Sequence, residues 1–182
     1  MTQNDWADLA TPPKSQWGRY VWKFDEGTFK YRITGKPCIY HEFFNHDTKP
    51  ERFIEKPDKE YFEKNCKAGQ YGKQLSFVWA MPAWDYQQED TVVLQLKKAA
   101  LINDLHAFAT DPDRGNPTDY DIKITREGKE KETKYKLMPV APKPLTKEIQ
   151  ESIKENPVDV SVLIENWDPF ELTETKKDNL PF

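Results

Sequence analysis

Aromatic and cationic side chains are interleaved along the strand-like parts of this sequence. Rings on which bases stack, together with cations that follow phosphates, bind single-stranded nucleic acid without sequence preference. The candidate rings are Trp79, Trp84, Tyr86, Tyr40 and Phe43, and the candidate cations are Arg52, Lys73, Lys97, Lys123, Arg126, Lys134 and Lys136. Each has an ordinary alternative, because strand aromatics commonly fill a core and lysines commonly lie on a solvated surface.

A possible set of metal ligands occurs near the second predicted strand and in the polar stretch after it. Its members are Cys38, His41, His46 and Cys66. Zinc binds to four such ligands arranged as a tetrahedron. The spacing departs from paired Cys-x-x-Cys knuckles, so the favoured interpretation is two buried free thiols with surface histidines and no cofactor, and zinc is the alternative.

The sequence ends on an acidic segment followed by Leu180, Pro181 and Phe182. Between residues 157 and 182, six acids outweigh two bases, which accounts for the whole formal charge of −4. Phe182 can enter an apolar pocket of a partner while its terminal carboxylate pairs with a basic residue. We therefore predict a flexible acidic interaction tail over residues 157–182.

Charge and composition limit the classes of partner and compartment. The remaining 25 bases and 25 acids cancel, so binding to nucleic acid requires a local basic patch rather than a basic body. No apolar run approaches the ~20 residues of a membrane span, and no export signal opens the chain. We expect a cytoplasmic protein with reduced cysteines and no membrane partner.

Short segments with a period of two predict strands, and longer ones with helical spacing predict helices. The predicted strands cover residues 29–34, 37–44, 75–81, 91–96, 119–126 and 133–138. Helices are predicted at 98–110 and 146–155, with a short one near 59–66 inside a polar excursion from 45 to 72.

This order predicts a mainly β protein with an OB-fold-like five-stranded barrel, one inserted helix, a peripheral helix and the flexible C-terminal tail. A β-sandwich gives a similar pattern and is the alternative fold. The predicted organisation is a flexible leader over 1–18, a barrel domain over 19–156 and the tail over 157–182.

The second half of the barrel carries a recognisable order of motifs. After the predicted helix 98–110 come the turn Gly115-Asn116-Pro117, the strand Tyr120-Asp121-Ile122 and the strand Thr133-Lys134-Tyr135. This order resembles a signature of phage single-stranded DNA-binding proteins. The ending Leu180-Pro181-Phe182 resembles the C-terminal tip of bacterial single-stranded DNA-binding proteins, although Lys176 and Lys177 interrupt its acidity.

The resemblance implies an OB fold that coats unpaired DNA during phage replication, recombination and repair in the host cytoplasm. It also implies recruitment of replication or recombination proteins by the tip, and homo-oligomers are possible. No Walker loop, nucleophile elbow or His-Glu-x-x-His motif occurs, so an enzyme is not expected. The alternatives are a module that captures host replication enzymes without binding DNA and a metal-dependent nuclease.

Overall fold

The computed structural model describes residues 16–171, which form a mainly β structure with one mixed sheet. Its strands are β1 Tyr20–Val21, β2 Gly27–Ile33, β3 Cys38–Phe44, β4 Pro50–Phe53, β5 Ser76–Asp85, β6 Asp90–Leu96, β7 Asp121–Glu127 and β8 Lys134–Pro139. The α-helices are α1 Lys59–Asn65, α2 Ala99–Ala109 and α3 Lys147–Glu155, and a 3₁₀ helix covers Val160–Glu165.

The predicted strands and helices are confirmed to within two residues at their ends, except that β5 continues to Asp85. Two short strands, β1 and β4, were not predicted from the pattern. Strand β1 has only two residues, and the four residues of β4 do not alternate between apolar and polar types.

The long strand β5 organises the sheet. One of its edges pairs with β6 from Trp79 to Asp85. The other edge pairs with β3 along its first half and with β2 at its end, and β2 continues the sheet to β7 and β8. Gly35 lies in the turn between β2 and β3, where a Cβ would come within 2.9 Å of the Pro82 ring. A glycine there lets both strands align on one edge of β5.

The main core lies on one side of this sheet and under α2. Its members alternate along the strands, as Ile122 and Ile124 do on β7 and Met81 and Ala83 do on β5. Helix α2 contributes Leu101 and Leu105, which are four residues apart and therefore lie on one face of the helix. The alternation therefore determines which face of each strand is buried.

A closed ring would require β6 to pair with β8, and the described strands contain no such pair. The far edge of β6 instead pairs in parallel with β1. Helix α2 packs against β8, and the carboxylate of its Asp104 accepts a hydrogen bond of 2.9 Å from the Leu137 backbone N–H. The helix thus satisfies part of the edge that β8 presents.

Residues 157–171, the first part of the predicted tail, pack on the opposite side of the sheet. Val160 and Leu163 join a second core with Tyr40, Val78 and Val93. Val158, Ile164 and Phe170 pack against the same core, and burial of these apolar side chains outweighs the acidic composition of the segment. Within residues 16–171, no helix is long and apolar enough to cross a membrane.

Candidate nucleic-acid interface

The side of β2, β7 and β8 that faces away from the main core carries a group of lysines, here called the lysine face. It consists of Lys30, Lys123, Lys134 and Lys136. Lys30 is opposite Lys123 in the β2–β7 register, and Lys136 is opposite Thr125 in the β7–β8 register. Glu127, opposite Lys134 at the end of the hairpin, is exposed on the same side.

Most charges on the lysine face lack a partner. Lys123, Lys134 and Lys136 are exposed and make no ion pair with residues 16–171. Gly128 (φ +79°) forms the turn that joins the two strands, and a Cβ there would come within 2.5 Å of the Glu132 carbonyl oxygen. The hairpin therefore places these lysines on one side of two neighbouring strands, where they form a local positive surface.

A buried carboxylate, Asp121, lies at the inner end of the lysine face. Arg32 Nε is 2.8 Å from its Oδ1 atom, and the Tyr86 hydroxyl donates to the same oxygen at 2.8 Å. Lys30 Nζ lies 3.3 Å from Oδ2, and Lys143 Nζ lies 3.8 Å from it. One carboxylate is thus shared by three cations, and positive charge remains available at this end of the face.

Tyr86 is held as a neutral donor in this cluster. Burial and its hydrogen bond to Asp121 raise the pKa of Tyr86 to about 12. The Lys30 ammonium lies 4.0 Å from the centre of the Tyr86 ring. The hydroxyl of Tyr86 and the face of its ring are therefore both used within the protein.

A groove of about 1190 Å³ opens where β2 turns into β3. Its apolar wall includes Ile33, Met81 and Leu105, and Trp79 lies on the same wall. Lys36, Lys143 and Lys154 also line it, and Asp119 is the one carboxylate among the described lining residues. The apolar wall of the groove is on the main-core side of the sheet, and the lysine face is on the other side. Lys143 lines the groove and its Nζ also lies 3.8 Å from Asp121 Oδ2, so this side chain connects the groove with the inner end of the lysine face.

An apolar patch, formed by Ile39, His41, Phe77 and Trp79, extends from the groove along β3 and β5. Ile39 is opposite Trp79 in the register and His41 is opposite Phe77, so all four lie on one side of the strand pair. The ring centres of His41 and Phe77 are 5.1 Å apart. Partial burial, and then the nearby Lys56, lower the pKa of His41, which favours the neutral ring.

The five rings predicted from the sequence lie in different environments. Trp79 lines the groove and is partly buried. Tyr86 is half-buried beside Asp121, and Trp84 is a buried core residue that is only 6% exposed, so it offers little surface to a base in this structure. Tyr40 and Phe43 are buried, Tyr40 against Gln95 and Phe43 among Phe53, Tyr61 and Phe62, so neither offers a face to a base in this structure.

The predicted cations divide into exposed and paired groups. Lys123, Lys134 and Lys136 form the exposed group on the hairpin. Arg52 and Lys97 both bind the carboxylate of buried Glu42, each at 2.8 Å. Lys73 pairs with Glu63, and the Arg126 guanidinium donates to the Phe24 carbonyl oxygen at 3.1 Å. Arg52, Lys97 and Arg126 therefore bind other parts of the fold, whereas the Lys73–Glu63 pair lies at the surface.

Several residues of the interface were not among the predicted ones. Lys30 lies between Phe29 and Tyr31 in a strand that alternates apolar and polar residues, so the sequence could have predicted that its side chain points away from the core. Lys36, Lys143 and Lys154 come from a turn, a proline-rich connection and α3, and only the folded chain brings them to one groove. Phe77 lies in the dense apolar segment 75–81, and nothing in that segment distinguishes it from buried neighbours such as Val78 and Ala80.

The four possible zinc ligands are not brought together. Cys38 lies in the second core, whereas His41 points to the other side of the same strand. Cys66 is buried, and His46 Nε2 contacts the Lys64 carbonyl oxygen at 3.0 Å. In residues 16–171 there is no cluster of three or more His, Cys, Asp or Glu residues suited to a metal ion. The alternating geometry of β3 separates the Cys38-x-x-His41 pair.

Comparisons with models of protein families, with curated proteins and with solved structures found no match to this chain. Leu180, Pro181 and Phe182 lie outside the described residues, as do residues 1–15. The interpretation of the interface therefore depends on the geometry of residues 16–171.

Proposed function

We propose that this chain is a non-enzymatic protein that binds single-stranded DNA and protects it during phage replication and recombination. The observation that carries the proposal is the lysine face, which joins a groove containing an aromatic side chain through Lys143. Unpaired cations supply phosphate contacts, and accessible rings supply stacking. Recruitment of partner proteins through Leu180, Pro181 and Phe182 belongs to the same proposal.

The strand order supports an OB-like body. Taken together, β2 and β3 occupy one position beside β5. After the excursion that contains β4 and α1, the chain continues through β5, β6, α2, β7 and β8. This gives a five-strand unit with a helix between its third and fourth strands, and OB folds are partly open Greek-key barrels of five strands. The gap between β6 and β8, which α2 bridges, fits the open form.

The binding mechanism follows from the charges. When single-stranded DNA binds the lysine face, lysine ammonium groups replace the counterions condensed on its phosphates. Release of these counterions increases the entropy, and it does not depend on the base sequence because the contacts are to phosphates. Asp121 keeps Lys30 and Lys143 near the same surface as Lys123. We therefore expect affinity for unpaired DNA that is insensitive to sequence and decreases steeply with salt.

Simultaneous replacement of Lys123, Lys134 and Lys136 by glutamine tests the proposal. Each phosphate contact on a single strand contributes ~0.7 to the slope of log K against log salt, so loss of three contacts should reduce the slope by about 2. The measurement is titration with poly(dT) and with duplex DNA at several salt concentrations.

A matched control changes the same charge elsewhere. Lys49, Lys59 and Lys64 are exposed lysines of the polar excursion, and the triple glutamine variant at these positions should keep a slope close to that of the wild type. Equal slopes for all three proteins would remove the lysine face from the binding surface. A wild-type protein that does not prefer poly(dT) to duplex DNA would contradict the proposed function itself.

A further inference from the structure

In an OB fold, the face of the second and third strands commonly binds the oligonucleotide. The corresponding strands here are β5 and β6, and the residues of that face include Val78, Ala80 and Val93. All three are buried in the second core under the segment that follows α3. This face therefore has little room for DNA in the described structure.

The covering segment is fixed by more than apolar contact. Leu163 is fully buried, and the Arg52 guanidinium donates to its carbonyl oxygen at 3.0 Å. The same guanidinium nitrogen donates to Asn166 Oδ1 at 3.1 Å, and the Arg52 side chain pairs with Glu42. Displacing the segment would break these bonds and expose the second core, so it behaves as part of the folded body.

The groove beside Trp79 is accessible and positively charged, unlike the covered face of β5 and β6. It is open, and it combines an apolar wall with three lysines and a single carboxylate, which gives it a charge complementary to a polyanion. At one end it joins the apolar patch, where Phe77 is 44% exposed two residues before Trp79 on the same side of β5. At the other end Lys143 leads to Asp121 and Lys30.

We propose that single-stranded DNA crosses this protein through the groove, with bases against Phe77 and Trp79 and phosphates along Lys36, Lys154, Lys143 and the lysine face. This path lies away from the outer face of β5 and β6. The inference rests on the proposed function and specifies the site at which that function is carried out. It assigns binding roles to Phe77, Lys36 and Lys154, and it places no DNA contact on the covered face.

Two phenylalanines of nearly equal exposure make a matched test. Phe77 lies on the groove side, and Phe44, 46% exposed, lies on the opposite side of the β3–β5 pair. Loss of a stacked base weakens binding by ~1–3 kcal/mol, so Phe77→Ala should raise the Kd for a dT oligonucleotide about 5- to 150-fold. Phe44→Ala should leave the Kd within about twofold of the wild type. Thermal melts establish that both variants are folded.

Two further measurements locate the path. The double variant Lys36→Gln with Lys154→Gln should reduce the salt slope by about 1.4, equivalent to two contacts at ~0.7 each.

Trp79→Phe keeps a ring on the wall of the groove but removes its indole emission. DNA-induced quenching of tryptophan fluorescence should therefore decrease in this variant, while its Kd changes little.

The outcomes separate this inference from the proposed function. If folded Phe77→Ala and the Lys36/Lys154 variant bind dT like the wild type while the lysine-face variant loses slope, the groove path is overturned and single-strand binding stands. A larger loss in Phe44→Ala than in Phe77→Ala would also overturn the path, since it would place the stacked base on the second-core side of β3 and β5. Absence of any preference of the wild type for poly(dT) over duplex DNA would overturn both.

Discussion

Replacement of Asp121 by asparagine is expected to lower the free energy of unfolding by about 3–5 kcal/mol, the usual cost of removing one partner from a buried charge pair. Asp121 is fully buried, and the Arg32 side chain that it pairs with is 3% exposed. Asparagine has nearly the same size as aspartate but cannot compensate the Arg32 charge. Urea denaturation followed by circular dichroism gives the free energy.

A graded series distinguishes charge from packing at this position. Tyr86→Phe removes one hydrogen bond to the same carboxylate oxygen and should cost less than Asp121→Asn. The double variant Arg32→Gln with Asp121→Asn should cost less than the sum of its single changes, because neither charge is then left buried without its partner. Additive losses, or a loss in Asp121→Asn no larger than in Tyr86→Phe, would show that the pair carries no such coupling.

Replacement of Leu163 by alanine is expected to destabilise the fold by about 2–5 kcal/mol, the range for a leucine in a well-packed core. Leu163 is fully buried in the second core together with Tyr40 and Val78. The sequence pattern placed this residue in a flexible tail, where the same change would cost almost nothing. The midpoint of urea unfolding of Leu163→Ala therefore reports whether the folded body extends beyond residue 156.

Glu165→Ala is the control for this experiment. Glu165 is exposed and belongs to the same 3₁₀ helix, so its replacement should change stability by no more than ~0.5 kcal/mol. If Leu163→Ala and Glu165→Ala melted alike, residues 157–171 would not contribute to the fold. The contrast between the two substitutions measures burial alone, because both are truncations to alanine in one short element.

The lysine face and the groove differ in how far the sequence reveals them. Lys123, Lys134 and Lys136 alternate with buried residues such as Ile124 and Leu137 on two neighbouring strands, so a period of two was enough to place them on one outward side. The groove brings residues 36, 79, 143 and 154 together across long separations in the chain. The alternation of neighbouring residues cannot predict contacts between residues so far apart in the chain.

The sequence alone determined the mainly β class, six of the eight described strands and the three α-helices with their approximate ends, and the outward side of the hairpin lysines. These features depend on local alternation and helical spacing, which are properties of neighbouring residues. Only the tertiary structure decided that Tyr40 and Phe43 are core rings, that Cys38 and His41 face opposite sides of β3, and that residues 157–171 cover β5. These outcomes depend on which segments pack against each other. Burial of apolar surface between segments that are distant in the chain decides this packing, and a local sequence pattern does not show it.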